Sequence, residues 1–419
     1  MPFARTLLIQ KIDYLLLSIF PVYFYFSGFQ GAVFLGDESF YFVGLVKKLL
    51  IATLLCLMLV WSVVCGLRKE ISFFILPLFL LVSILTSSVL NDSKQELTDL
   101  FLRISFFSLS VFWFKLRGAY RATYKWCVSW YSHKIIFGCC CALIFGFFCG
   151  LFRQDISQGF GNSRGTFGIW LLQLVSLSFF TLSSNKRRDF LYAYFFAFLP
   201  IYALQCIVAS RVGILATLIL ACYFFWRTQG RKYAVYCLFL SLLIVMTASR
   251  VLGLMELADK AMDPLRYSEA LLYMEKSMHE VDFYLDFIDK YSSYRLTIIS
   301  TAFANFQLID LLFGLGGGEF KGSIPRYPHL GLYDVHNVYL KMLGEYGVLA
   351  FIFLSAIVMN GVHAAYRCGR KSGNWNIFVV QLIYVLMSML HPDLLLTNVS
   401  ISLIYIFTYA MASNEAKLG

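Results

Sequence analysis

Apolar runs long enough to cross a lipid bilayer alternate with short polar connectors along most of the chain. A transmembrane helix takes about 20 apolar residues, and runs of that order fall near 12–30, 42–65, 71–90, 98–114, 134–152, 166–184, 190–209, 212–226, 233–249, 337–361, 375–391 and 394–411. The seventh and eighth form one apolar stretch over 190–226, too long for a single span. The break belongs at Ser210-Arg211, because a charge in mid-bilayer is costly. The first run follows Arg5 and Lys11 but lacks a small-residue cleavage site, so it reads as a membrane helix rather than a removed leader. The pattern predicts an all-α polytopic membrane protein of about twelve transmembrane helices.

One connector departs from the alternation. Residues 250–335 hold eight Lys/Arg and twelve Asp/Glu, too polar to insert and too long for a turn. Around 267–291, apolar residues at three- and four-residue spacing (Leu271, Met274, Met278, Val281, Tyr284, Phe287, Ile288) alternate with acidic ones, which predicts an amphipathic helix. A second apolar-patterned segment covers 296–313. It is followed by Gly314-Leu315-Gly316-Gly317-Gly318 and a Pro/Gly/Tyr-rich stretch over 322–333, both irregular backbone. The expected organisation is one membrane domain: helices 1–9 over 1–249, a large, partly helical outer loop over 250–335, and helices 10–12 with a short tail over 336–419.

Charge orients this arrangement. Alternate connectors, counted with both termini, hold nineteen Lys/Arg, whereas the opposite short connectors hold only Lys94, Arg153, Arg164 and Arg211. Cytoplasmic loops carry the excess, so both termini are expected inside and the 250–335 loop outside. The same clustering accounts for the net charge of +11, which in a soluble chain would suggest nucleic acid; no nucleic-acid partner is expected here. With 59% hydrophobic and 14% charged residues, most of the chain cannot be a water-facing surface.

The eleven cysteines lie in apolar runs or basic connectors and none falls in the large loop, so neither a disulfide framework nor a metal-binding pattern is indicated. The chain has no phosphate-binding GxxxxGK[ST] loop, no HExxH, and no acidic pair of the kind that holds a metal and a nucleotide sugar. Any chemistry is therefore expected to need no metal and no cofactor.

The candidate residues are cations and one imidazole at the outer face. Arg211 sits where two spans meet, and Arg295 opens an apolar helical segment after Tyr291-Ser292-Ser293-Tyr294. A guanidinium is a rigid fork of donors suited to phosphate. A cation at the positive end of a helix makes better sense with an anion between them. Arg153, Arg164 and Arg250 are weaker candidates for the same positive pool, Arg164 lying in a Gly-rich loop that enters a span. His336 and Asn337 lie at the mouth of the tenth span with Tyr339 nearby, and histidine suits proton transfer near neutral pH. Lys341 and Glu345 stand one turn apart and can pair.

The pattern His-Asn-x-Tyr-Leu-x-x-Leu-x-Glu-x-Gly over 336–347, with the glycines of 314–318 about twenty residues earlier, resembles the signature of the O-antigen ligase and O-antigen polymerase superfamily. Ser210-Arg211 and Arg295 are similar to that family's two outer-face arginines. The resemblance covers about 190–353 well and the rest in topology. It implies a metal-independent, inverting glycosyltransferase of the bacterial inner membrane, with its active site in the periplasm. Its donor would be an undecaprenyl-pyrophosphate-linked glycan. By resemblance, Arg211 and Arg295 would neutralise the leaving pyrophosphate, and His336 would orient or deprotonate the acceptor hydroxyl. Arg164, Arg250, Asn337 and Tyr339 would help hold substrate. A ligase uses lipid A–core as acceptor; a polymerase uses a second lipid-linked repeat unit. A single large loop, and the absence of an Arg-x10-Gly spacing at the outer arginines, look more like the ligase. Capsule polymerases in the superfamily and, in another class, a lipid-linked glycan transporter are alternatives. The latter would need charges lining a path through the spans, and most spans lack them, with residues such as Lys47, Lys48, Arg103 and Lys341 as exceptions.

Overall fold

The computed structural model describes residues 2–27, 37–65, 74–91, 97–118, 169–173, 175–176, 198–199, 201–202, 205, 211–251, 299–300, 302–304, 306–316, 320, 335, 337–373, 375–391, 405–406, 408–409 and 412. Among them regular structure is entirely helical. In chain order the helices are α1 (Pro2–Ser27), α2 (Asp37–Cys65), α3 (Ile75–Leu90), α4 (Leu97–Gly118), α5 (Arg211–Gln229), α6 (Arg231–Val251), α7 (Leu308–Phe313), α8 (Val338–Ser372) and α9 (Asn376–Ser388). The span expected at 134–152 and the amphipathic helix expected at 267–291 lie outside the described residues. So do Arg153, Arg164, Arg295 and His336. α5 is described from Arg211, and residues 206–210, with the break expected at Ser210-Arg211, lie outside the described residues.

The helices are apolar on faces that pack and on faces that do not. In α1, Ile12, Leu16, Phe20 and Tyr23 are buried at helical spacing and meet α4, where the Phe20 and Trp113 rings stack at 5.3 Å. The Trp113 indole donates to Asp13 Oδ1 at 2.8 Å, so a carboxylate inside an apolar helix has a partner. Outward faces are apolar too: Val63, Val89 and Phe239 are 69%, 76% and 70% exposed. Water does not favour such a surface, but a bilayer solvates it. Among the described residues, α8 is the helix both long and apolar enough to cross a membrane, and shorter apolar stretches lie in α2, α3, α4, α5 and α9.

Two hairpins define one end of the bundle. α5 and α6 turn at Gly230 and pack on each other. α8 and α9 turn at Gly373, whose left-handed backbone (φ 68°) ends α8. Arg227 ties the two turns: its guanidinium donates to the Gly373 carbonyl (2.7 Å), to Asn376 Oδ1 (3.1 Å) and to the Tyr223 hydroxyl (3.0 Å). In the interior, Gln381 donates to Thr408 Oγ1 (2.5 Å) and the Tyr405 carbonyl (2.9 Å), and Asn360 donates to the Tyr409 hydroxyl (3.0 Å). These bonds hold the described residues of the last segment against α8 and α9.

α8 is not one straight span. Gly347 has φ 80° and ψ −178°, which breaks the helix into limbs over 338–346 and 348–372. The hydroxyls of Tyr339 and Ser388 lie 3.0 Å apart. In a straight helix rising about 1.5 Å per residue, Tyr339 would stand about 50 Å from Gly373. Ser388 can be no more than about 30 Å from Gly373 by way of α9, and two side chains do not bridge the difference. The first limb therefore folds back from Gly347 toward α9. A tenth span over 337–361 thus needs correcting: the long straight limb is 348–372, and the residues before it are a separate short helix.

Candidate functional site

A break in a helix leaves backbone groups without their intrahelical partners. At Gly347 these are the carbonyls of Gly344 and Glu345, and the large loop supplies the donors. The Leu315 amide donates to the Gly344 carbonyl and the Gly316 amide to the Glu345 carbonyl, each at 2.9 Å. The Glu345 carbonyl also accepts from Ser87 Oγ of α3 at 3.1 Å. Asn91, just past the end of α3, donates to the Gly314 carbonyl (3.1 Å) and the Ser87 carbonyl (3.0 Å). Loop, broken helix and α3 are thus joined mostly through main chain.

Glycine is required by geometry at the centre of this clamp. Gly314 and Gly347 have φ 76° and 80°, a region that side chains disfavour. A Cβ at Gly314 would overlap the Glu345 carbonyl, and one at Gly347 the Leu312 carbonyl. Gly344 faces the Phe320 ring so closely that a Cβ would come within 2.5 Å. The two glycine groups singled out in the sequence are two halves of one contact.

The loop has its own small core above the clamp. Ala302, Phe320 and Val335 are buried, with Ile299, Phe303, Phe306, Leu315 and Leu340 against them. The rings of Phe303, Phe306 and Phe320 meet pairwise at 4.8 to 5.7 Å. The apolar segment expected over 296–313 is divided: Gln307 is extended, and α7 starts anew behind it, with the Gln307 amide donating to Asp310 Oδ2 at 2.9 Å.

Asn337 caps the first limb, its Oδ1 accepting from the amides of Tyr339 (2.9 Å) and Leu340 (3.1 Å). This fixes the chain direction immediately after His336. Tyr339 is 9% exposed. Ser388 Oγ is the donor to the Tyr339 hydroxyl at 3.0 Å and also lies 2.6 Å from the Val385 carbonyl. Both residues thus have structural bonds in addition to the substrate-holding role the sequence suggested. Glu345 is only 3% exposed, on the limb it shares with Lys341.

The backbone of Arg211 starts α5 and that of Arg250 lies in the last turn of α6. The turn at Gly230 is equidistant from both, so the hairpin brings them to one end, opposite Arg227 and Gly373. The helix break and the end of α3 are also opposite the Gly373 turn, because α3 packs along α8 with Phe79 stacked on Phe353 at 5.3 Å and Ser87 bonded at Glu345.

The sequence reading missed the contributions of α3 and α9. Ser87, Asn91 and Ser388 are small polar residues at helix ends, with no motif to mark them. His391, one turn beyond Ser388 and 7% exposed, had a signal in the His-Pro-Asp that follows an apolar run.

The glycines of the loop, the limb capped by Asn337 and the helix break at Gly347 thus form one continuous assembly, and all of it falls inside one family match. Residues 195–355 match the O-antigen ligase family. The matched stretch runs from before α5 to just past the break in α8. It includes Arg211, Arg250, Arg295, His336, the loop glycines and the first limb. Ser87, Asn91, Ser388 and His391 lie outside it. The family is one of integral membrane proteins acting on lipid-linked glycans. No curated protein matches the chain.

Proposed function

We propose that the protein is an O-antigen ligase of the bacterial inner membrane, transferring an undecaprenyl-pyrophosphate-linked polysaccharide to lipid A–core. The observation that carries this reading is the family match over 195–355, which holds Arg211, Arg295 and the 336–347 motif in one segment. The acceptor hydroxyl oxygen bonds to the anomeric carbon from the face opposite the leaving group, as the carbon–oxygen bond to pyrophosphate breaks. The configuration inverts, and undecaprenyl pyrophosphate leaves with the bonding pair. Arg211 and Arg295 offset the charge that develops on the pyrophosphate, with Arg164 and Arg250 adding to the positive field. His336 takes or orients the acceptor proton.

Support comes from the cap at Asn337, which gives His336 a rigid neighbour, and from the clamp, which holds the loop's end to the helix that starts there. The sharing of one hairpin end by the backbones of Arg211 and Arg250 agrees with a positive cluster. The reading puts the 250–335 loop in the periplasm and both termini in the cytoplasm.

The test is deletion of the gene followed by analysis of surface polysaccharide. The expected result is core without long glycan while undecaprenyl-linked polymer accumulates. Core carrying a single repeat unit would instead assign a polymerase, and unchanged glycan would exclude both.

A further inference from the structure

The end of α8 farthest from the clamp has a cavity of about 480 Å³ lined by His363, Tyr366, Arg367, Arg370 and Lys371. Their spacing puts all five on one stripe of the helix, and all are exposed. Among the described residues, no carboxylate lines the cavity. Its aromatic wall is built: the Tyr366 ring meets Trp375 at 5.6 Å and Phe378 at 5.9 Å, and those two meet at 5.7 Å. Trp375 lies over Gly369, where a Cβ would come within 2.8 Å of the indole. The nearby turn at Gly373 is held by Arg227.

We propose that this cavity binds the phosphate headgroup of an anionic membrane phospholipid. Two guanidinium forks and a lysine at a helix C-terminus suit a phosphodiester, and the helix dipole favours cations there. Tyr366 and Trp375 are the residue types that settle at the membrane–water boundary. What favours a lipid over a free anion is the surface above. Leu349, Ile352 and Met359 are 47%, 49% and 64% exposed and occupy the same helical stripe as His363 and Arg370. An acyl chain can lie along them while its phosphate sits among the cations. Basic pockets of this kind are recognised by anionic headgroups. The site is remote from the clamp and does not depend on the glycan-transfer reading.

The test is native mass spectrometry of the full-length protein, titrated in detergent with phosphatidylglycerol or phosphatidylcholine. Phosphatidylglycerol is expected to be retained about tenfold better. The Arg367→Gln/Arg370→Gln variant should lose about that preference and each single variant part of it, since each cation near the surface contributes separately. Arg231→Gln/Lys232→Gln, at the Gly230 turn, should keep it. The proposal is overturned if the α8 variants retain lipid like the parent protein. It is also overturned if the control pair loses as much, which would mean diffuse surface charge, or if inorganic phosphate displaces the lipid, which would mean a free-anion site.

Discussion

The Gly316 amide donates to the Glu345 carbonyl at 2.9 Å, joining the large loop to a helix at the point where that helix breaks. A continuous helix would satisfy this carbonyl internally, so the break and the loop depend on each other. If Gly347 resumed helical geometry, the loop would lose its acceptors; if the loop departed, the Gly344 carbonyl would lose its donor and the Glu345 carbonyl would keep only Ser87 Oγ.

Glycine substitutions separate backbone strain from close contact. Gly230 has φ 94° and nothing within 4 Å of a built Cβ, so Gly230→Ala should cost about 1 kcal/mol of stability. Gly347→Ala adds overlap with the Leu312 carbonyl to the same strain and should cost about 2 kcal/mol or more. Thermal unfolding of the detergent-purified protein measures both. Equal losses would mean that the clamp is not tight.

The ring over Gly344 predicts non-additivity. Phe320→Ala removes a buried ring, a loss of about 3–5 kcal/mol in a well-packed core. Gly344→Ala pushes the same ring away. The double variant should therefore be more stable than the sum of the two losses implies, and strict additivity would show that the residues do not touch.

Tyr339 and Ser388 tie the folded-back limb to α9. Tyr339→Phe and Ser388→Ala should each cost about 1 kcal/mol, the net worth of a hydrogen bond. The double variant should lose less than the sum of the two, by about the worth of the one shared bond. No coupling in the double-mutant cycle would argue against the fold-back.

For the transfer reaction, His336→Ala, Arg211→Ala and Arg295→Ala should each abolish glycan on lipid A–core while the protein remains in the membrane. Loss of one charge-stabilising donor typically costs about 10²–10³ in rate. A divalent chelator should leave transfer unchanged, and strong inhibition would contradict the metal-free scheme. If all three variants stay active, the chemistry lies elsewhere.

Much of this was legible because a bilayer imposes few patterns. Apolar length located α2, α3, α4, α5, α6 and α9. The fold-back of the first limb was not legible. Residues 338–361 are predominantly apolar, and periodicity alone does not distinguish one long helix from two that meet at a glycine. The glycines at 314–318 and 344–347 were visible, but their pairing is a relation between segments thirty residues apart. Ser87 and Asn91 were hidden for the same reason, since nothing local to α3 records the carbonyls they serve.

The clamp also determines what the loop is free to become. Its bonds to α8 are made by amides and carbonyls that every residue possesses, and its strict demands are for the absence of a side chain. Leu315 could change identity without altering the amide it offers Gly344. A loop moored this way can acquire new side chains while the mooring stays as it is. Change in what the protein recognises is thereby separated from change in how it holds together.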